Sequence, residues 1–356
     1  MTRPFRVIIV GGGIAGLSAA IALRKADREI TVYEQSAENR EIGATISLQP
    51  NASKIVEQTW GMQDALLKAG GMVDGAFEIY NANGELQMRL PLKTSEKYGA
   101  ERMVYHRADL HNALKERATS TAYPGQPVKI HVSSRVVGCN CDEGVVYFED
   151  GQTAAADLIV GADGIKSTLR KVVLGKEVKA LRTGHSAYRI LVPTAELEKE
   201  QDFTSIINPR ESKTTMVIGY DRRLIMGPAR NGTAYSVVAL VPDESMKESA
   251  DDSSWTTAGS HEKMLESFDV FPEWAKKPLR LALNVGLWQL RDIDPLPTWY
   301  RGRTILIGDA SHAMLPTQGQ GASQAVEDAE ALGAFFADIE GSSLAVEMVE
   351  KRNKVR

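Results

Sequence analysis

Short hydrophobic runs recur along the chain, and each ends in glycine or in glycine followed by an acid. Mainly apolar runs of this length, with no turn-forming residue inside them, are typical of strands buried in a parallel sheet. The segments after the first and last runs have helical character. The pattern therefore predicts strand–turn–helix units. The runs and the turns that follow them are residues 5–10 with Gly11-Gly12-Gly13, residues 158–160 with Gly161-Ala162-Asp163-Gly164, and residues 304–307 with Gly308-Asp309.

A different pattern occupies residues 181–281. Apolar and polar positions alternate, and turns such as Asn231-Gly232 join the alternating segments, which indicates a mainly antiparallel sheet. The predicted strands are residues 187–192, 214–219, 224–227 and 234–240. Residues 77–90 read as a β-hairpin that interrupts the strand–helix pattern, so we assign them to the same second unit. Residues 264–274 are predicted to be helical.

Together these patterns predict an α/β protein with a Rossmann-like domain and an inserted, mainly antiparallel domain. The Rossmann-like domain is expected in three parts, residues 1–71, 98–180 and 282–356. The inserted domain is expected to comprise residues 72–97 and 181–281.

Local signals refine this division. Residues 35–50 are predicted to be a loop, after which Asn51 or Ser53 could cap a helix. Ser167 could cap the helix after the second glycine turn. Cys139 and Cys141 fall in a predicted strand with both side chains on one face, and we expect two small buried thiols rather than a disulfide or a zinc site.

Composition narrows the possible functions. The chain has 356 residues, 43% of them hydrophobic, which is enough for two domains with separate cores. Its net charge of −4 and the lack of a basic patch argue against nucleic-acid binding. The apolar run near the N-terminus is too short for a signal or membrane segment, so we expect a cytoplasmic protein. No metal site is expected.

The first glycine turn has the spacing of a dinucleotide-binding motif. Gly11 permits the tight turn, Gly13 lets the backbone approach a pyrophosphate, and Gly16 allows the helix to pack closely on the strand. Glu34 follows Gly16 by 18 residues, where its carboxylate can accept from ribose hydroxyls and would repel a 2′-phosphate. The stretch predicts the ADP moiety of FAD or NAD rather than NADP, and it does not choose between the two.

The three glycine motifs together resemble those of the single-component flavin-dependent aromatic hydroxylases, the group that contains 4-hydroxybenzoate and salicylate hydroxylases. The resemblance covers about residues 5–335. It includes Pro50-Asn51, residues 106–110 and residues 327–329, and the last glycine motif continues through Pro316 and Gly319-x-Gly321. Among these enzymes it is closest to fungal secondary-metabolism members. It implies the 4-hydroxybenzoate hydroxylase-like fold, with FAD as the cofactor.

The resemblance also implies roles for particular residues. Asp309 is expected to accept from the ribityl hydroxyls, Asp163 to lie near the pyrophosphate and to help handle the nicotinamide donor, and Arg107 to reach FAD. His312 is expected to be structural, with proton transfer as the alternative. The helix that starts near Gly321 should direct its free N–H groups at the negative charge of reduced flavin. The predicted cofactor-binding residues are Gly11, Gly13, Ala15, Gly16, Glu34, Ser47, Arg107, Asp163, Asp309, Pro316, Gly319, Gly321 and Ala322.

The implied activity is that of a monooxygenase. NADPH or NADH would reduce FAD, O2 would add at flavin C4a as a hydroperoxide, and an aromatic (phenolic or indolic) substrate would attack its distal oxygen. Arg189 and, more weakly, Tyr220 are the predicted catalytic residues on the antiparallel sheet. Two alternatives stay open: an epoxidase of an indole or alkene in secondary metabolism, and a protein that binds FAD without oxygenating. A flavin halogenase is disfavoured because the Trp-x-Trp-x-Ile-Pro segment is missing.

The chain departs from the family in two places. Many relatives carry a tyrosine–proline pair where this chain has Met226-Gly227-Pro228, which puts their substrate preferences in doubt here. The chain also ends at Arg356, inside a predicted helix, whereas relatives usually continue for several dozen residues. A natural short form and a truncation are both compatible with that ending.

Overall fold

A computed structural model describes residues 3–38, 45–243 and 256–338. Their strands, in chain order, are β1 Phe5–Val10, β2 Arg28–Tyr33, β3 Thr45–Leu48, β4 Met72–Val73, β5 Ala76–Asn81, β6 Leu86–Pro91, β7 Met103–His106, β8 Lys129–His131, β9 Val136–Asn140, β10 Val145–Phe148, β11 Thr153–Ala155, β12 Leu158–Gly161, β13 Leu181–Pro193, β14 Thr214–Ile218, β15 Arg223–Ala229, β16 Ala234–Pro242, β17 Thr256–Ala258, β18 Gly286–Asp292, β19 Tyr300–Arg301 and β20 Thr304–Leu306.

The helices are α1 Ile14–Leu23, α2 Pro50–Lys54, α3 Gln63–Lys68, α4 Thr94–Tyr98, α5 Arg107–Thr119, α6 Thr168–Leu174, α7 Thr194–Leu197, α8 Gln201–Thr204, α9 His261–Ser267, α10 Glu273–Arg280, α11 Asp309–His312 and α12 Gly321–Phe335. A π-helical turn covers Ile55–Thr59, and a 3₁₀ turn covers Pro316–Gln318. In the described ranges, no helix is long and apolar enough to cross a membrane, and no group of three or more side chains is arranged to hold a metal.

The apolar runs of the sequence form the centre of a mainly parallel sheet. Its order within the described residues is β19-β20-β12-β1-β2-β8, and only β19 runs antiparallel to its neighbour. Side chains of β1 such as Val7 and Ile9 pack with those of α1, α5 and α12 in one core, while Ile8 and Val10 pack with α6 on the opposite face. Burial on both faces explains why five of the six residues of β1 are apolar.

The inserted region forms an eight-stranded sheet in the order β17-β18-β13-β16-β15-β14-β5-β6, counted over the described residues. Its pairs are antiparallel except for β14 with β5. One face packs on α8, α9 and α10 through residues such as Val217, Val237 and Phe268. Because β18 pairs with β13, this strand belongs to the inserted sheet, although we predicted residues 282–356 to lie with the nucleotide-binding domain.

Three local predictions were wrong. Neither Asn51 nor Ser53 caps α2: Gln49 is the cap residue, and Pro50, whose fixed φ suits a helix start, occupies the first turn. The predicted loop of residues 35–50 contains β3, which forms only by pairing with the distant β7. The predicted helix of residues 264–274 is two helices, α9 and α10, because the chain turns at residues 268–272.

Two other local predictions were confirmed. The Ser167 hydroxyl accepts from the Arg170 N–H at 2.9 Å and caps α6. Cys139 and Cys141 are buried free thiols on the same side, with their Sγ atoms 3.6 Å apart. The thiols are therefore part of the packing between the small β9–β10–β11 sheet and the parallel sheet.

Candidate active site

The three glycine motifs, far apart in sequence, meet around β1 and α1. Gly11 has a φ of +105°, and a Cβ there would lie 2.2 Å from the Ala162 carbonyl oxygen and 3.1 Å from the Cα of Asp163. Gly308 has a φ of +57°, and its Cβ would lie 2.7 Å from that of Ala15. The second and third motifs therefore both touch the first, and glycine is what permits the contact.

The start of α1 is suited to a diphosphate. Gly13 is its cap residue and provides no side-chain acceptor for the N–H groups of the first turn. A Cβ at Gly16 would lie 1.9 Å from the Gly11 carbonyl oxygen, so glycine also allows the helix to sit directly on the turn. The uncapped N–H groups and the helix dipole together favour an anion at this position.

Glu34 lies at the end of β2, beside this turn. Its Oε2 accepts from the Gly12 N–H at 2.8 Å, and its Oε1 accepts from the Ser36 N–H at 2.8 Å. Two backbone donors thus hold the carboxylate in place, while each oxygen keeps a second lone pair for a ribose hydroxyl. The position agrees with the spacing argument from the sequence.

Arg107 is the first residue of α5, and the same helix contacts the glycine turn through a residue that the sequence did not suggest. The Nε2 of buried His111 lies 2.8 Å from the Gly12 carbonyl oxygen. Arg230, from the turn between β15 and β16, reaches Asp109 with two hydrogen bonds of 2.7 and 3.0 Å. Helix α5 is therefore tied both to the nucleotide side and to the inserted sheet.

The carboxylate of Asp163 is engaged inside the fold. It accepts from the Ser167 hydroxyl at 2.5 Å and from the N–H groups of Thr168 and Leu169 at 2.7 and 3.0 Å. Burial raises the pKa of Asp163, and these donors oppose that shift. Its side chain thus fastens the start of α6, while its backbone lies at the Gly11 turn.

The third motif is braced by α12. Asp328 accepts from the Gly308 N–H at 2.9 Å and from His312 Nε2 at 2.5 Å, both through Oδ2. Burial by itself lowers the pKa of His312, but the hydrogen bond and charge of Asp328 outweigh it and raise the pKa. The pair supports a structural role for His312. Asp309, next to the brace, is exposed at the start of α11.

The start of α12 offers a second uncapped helix N-terminus. No side chain caps it, and the position of a Cβ on Gly321 is open space. Gly319, with a φ of +62°, lies against Gln49 and Ser47, and the Gln49 amide donates to its carbonyl oxygen at 3.1 Å. With Pro316 and Ala322 on either side, these residues fit the negatively charged edge of a reduced flavin ring.

Next to this helix start, the inserted sheet presents the face that bears Arg189. Leu315, directly before Pro316, packs against the cluster of Ala187, Leu240 and Leu290 on that face. The Arg189 guanidinium lies over the Trp288 ring, 4.8 Å from its centroid. The Arg189 side chain therefore lies on the side of the sheet that faces the turn at Pro316–Gln318, which precedes α12.

Tyr220 lies outside this arrangement. It sits in the turn between β14 and β15 and is fully exposed, with a relative accessibility of 106%. Two features that complete the site were absent from the sequence argument, namely the Thr45 hydroxyl, 3.1 Å from that of Ser236, and the brace from Asp328. The resemblance includes residues 327–329, but no local sequence signal marks either contact, because Asp328 lies 16 residues from His312 and Thr45 lies 191 residues from Ser236.

This combination defines a class of protein: two uncapped helix starts, an acid beside the first glycine turn and a facing antiparallel sheet are typical of FAD-dependent hydroxylases. The family described as "FAD binding domain" matches residues 5–343. The chain belongs to this family, and it is an FAD-dependent monooxygenase, which confirms the predicted fold class, enzyme class and cofactor.

Individual relatives and solved structures support this assignment to the FAD-dependent monooxygenases. Hispidin-3-hydroxylase of Neonothopanus nambi is 33% identical over 342 residues, covering 93% of this chain and 80% of the relative. Salicylate hydroxylase of Pseudomonas putida is 31% identical over 350 residues, covering 95% and 78%. The crystal structure of CtdE in complex with FAD and substrate 4 has a TM-score of 0.84 at 25% identity, covering 99% of this chain and 85% of that one.

Proposed function

We propose that this monooxygenase uses NADPH or NADH and O2 to hydroxylate a phenolic or indolic small molecule that binds between the Arg189 face of the sheet and the flavin. The packing of Leu315 against Ala187, Leu240 and Leu290 carries this proposal, because it brings the turn that precedes α12 next to the face of the sheet that bears Arg189. When bound, FAD supplies electron transfer from the nicotinamide and the activation of O2.

The chain's own residues bind and orient the reactants. The start of α1 and Glu34 hold the ADP half of the cofactor, and the start of α12 stabilises negative charge on the reduced ring by roughly 0.3–2 kcal/mol. Arg189 pairs with a phenolate or carboxylate of the substrate, and stacking on Trp288 fixes its plane. The sheet and the turn that precedes α12 keep water away from the reacting carbon of the substrate.

The test is anaerobic stopped-flow reduction of the FAD-loaded protein by NADPH, with and without a mixed pool of phenolic acids and indoles. We expect the pool to accelerate reduction, and oxygen then to yield hydroxylated product rather than peroxide alone. Peroxide as the sole product with every member of the pool would contradict the proposal. No observation favours epoxidation or a non-oxygenating role over hydroxylation, and the cytoplasmic location stays a prediction.

Two substitutions test the role of Arg189. In Arg189→Ala we expect FAD to be retained while the ratio of product to peroxide falls sharply. Arg189→Lys should recover little, because an ammonium does not reproduce a stacked, planar guanidinium. Arg135→Ala is the matched control, since Arg135 is 56% exposed and pairs only loosely with Glu149, at 3.8 Å. Unchanged coupling in Arg189→Ala would remove this residue from the mechanism.

A further inference from the structure

One row of neighbouring side chains crosses the inserted sheet and ends at Arg189. The register pairs Met88 with Ile79, Ile79 with Met216, Met216 with Ile225, Ile225 with Val238 and Val238 with Arg189. Residues paired across a sheet project from the same face. We call Met88, Ile79, Met216, Ile225 and Val238 the apolar row, and it lies on the same face as Arg189.

The apolar row is only partly covered, unlike the opposite face of the same strands. Met88 is 53% exposed, and the other four members are half-buried. On the opposite face, Val217, Leu224 and Val237 are at most 1% exposed under the helices. Five uncharged, apolar side chains in a line with partial access to solvent form a surface that gains stability when apolar material covers it.

The row starts on the part of the sheet against which Leu315 packs. Val238 and Ile225 pack against the same three side chains as Leu315, namely Ala187, Leu240 and Leu290. They also line a cavity of about 50 Å³ together with Thr45 of β3. From Val238 to Met88 the row spans four strand spacings, which is roughly 19 Å at about 4.8 Å each. That length greatly exceeds one aromatic ring, so a single-ring substrate at Arg189 leaves most of the row uncovered.

We propose that the substrate has two parts: an aromatic head bearing an acidic group, held by Arg189, and an extended apolar tail that lies along the apolar row toward Met88. Charge complementarity fixes the orientation of the substrate along the row. The cation of Arg189 adjoins one end of the row, and none of the five members of the row is charged. The assignment of the head rests on the proposed function, whereas the binding of the tail can be measured without turnover.

The probe is a series of 4-alkyl-2-hydroxybenzoates with tails from methyl to hexadecyl, the longest of which can span the row. Their Kd is measured from the change in flavin absorbance of the FAD-loaded protein, without NADPH. Each methylene buried on the row should tighten binding about fourfold, the ratio that corresponds to about 0.8 kcal/mol per CH2. In Met216→Asp the Kd should stop falling once the tail reaches β14. Met88→Asp should weaken only the longest tails.

Gln87→Asp is the matched control. Gln87 is the exposed neighbour of Met88 on β6, and the register of β5 with β6 skips it at a bulge, so it is paired with no member of the apolar row. This substitution adds the same charge to the same strand and should leave the whole series unchanged. Met216→Ala is the second variant in case Met216→Asp does not retain FAD, and it should reduce the gain per methylene without abolishing it.

A Kd that does not depend on tail length, or no binding at any length, would overturn the proposal. Equal losses in Gln87→Asp and Met88→Asp would do the same, because the effect would then not belong to the row. Tail-dependent binding without any oxygenated product on adding NADPH and O2 would support the row and contradict the proposed function instead.

Discussion

Gly308→Ala tests whether the contact between the first and third glycine motifs requires glycine. Gly308 has a φ of 57° and a ψ of −144°, close to a region that only glycine adopts readily, and forcing another residue there costs about 1–3 kcal/mol. The added Cβ would also lie 2.7 Å from that of Ala15, and relieving such overpacking costs about 1–3 kcal/mol. The two costs together predict a loss of about 2–6 kcal/mol in the free energy of unfolding.

The matched control is Gly175→Ala at the end of α6. Gly175 also has a positive φ, of 68°, but nothing lies within 4 Å of the added Cβ, so only the backbone cost of about 1–2 kcal/mol remains. Urea unfolding of the FAD-free forms measures both losses, and FAD titration measures affinity. We expect Gly308→Ala to lose more stability than the control and to bind FAD more weakly. Equal stability of the two variants would refute the reasoning.

Three further substitutions test the remaining contacts. Asp328→Asn should lower the free energy of unfolding by about 1.5–3 kcal/mol. Because Asp328 raises the pKa of His312, the full loss should be seen in urea unfolding below about pH 6.5, and it should shrink as the pH rises through the pKa of His312 in the folded protein. A loss that does not depend on pH would contradict this prediction. Glu34→Ala should weaken FAD binding in a fluorescence titration while leaving the secondary structure by circular dichroism intact, whereas unchanged affinity would exclude the ribose contact. Arg230→Ala should increase proteolysis at the turn between β15 and β16, because the double hydrogen bond to Asp109 is lost, and an unchanged cleavage rate would argue against that tie.

Much of the nucleotide-binding half was predictable because its signals are local. The apolar run of residues 5–10, the glycines at 11, 13 and 16 and the acid at 34 act through backbone conformation and strand burial, which neighbouring residues determine. Ser167 likewise caps the helix that begins at the next residue, by accepting from the N–H of Arg170 three positions along the chain. The spacing of these residues therefore predicted the glycine turn, the start of the helix and a dinucleotide cofactor.

Predictions from local signals were wrong where pairing with a distant segment, or a stronger signal from a neighbouring residue, determined the structure. Strand β3 was read as loop because its ladder comes from β7, more than fifty residues later. Gln49, rather than Asn51, precedes α2, since Pro50 starts that helix. The predicted helix of residues 264–274 broke because its turn packs under the inserted sheet through Phe268 and Phe271.

The sequence by itself thus determined the cofactor fold, the order of its motifs and the chemistry of the residues placed next to them. Only the tertiary structure decided that Gly308 touches Ala15, that Asp328 braces His312, and that Arg189 shares a sheet face with the apolar row while Tyr220 lies outside it. The physical reason is that strand register and interdomain packing are set by contacts between residues far apart in the chain, and such pairings leave no periodic trace in either segment alone.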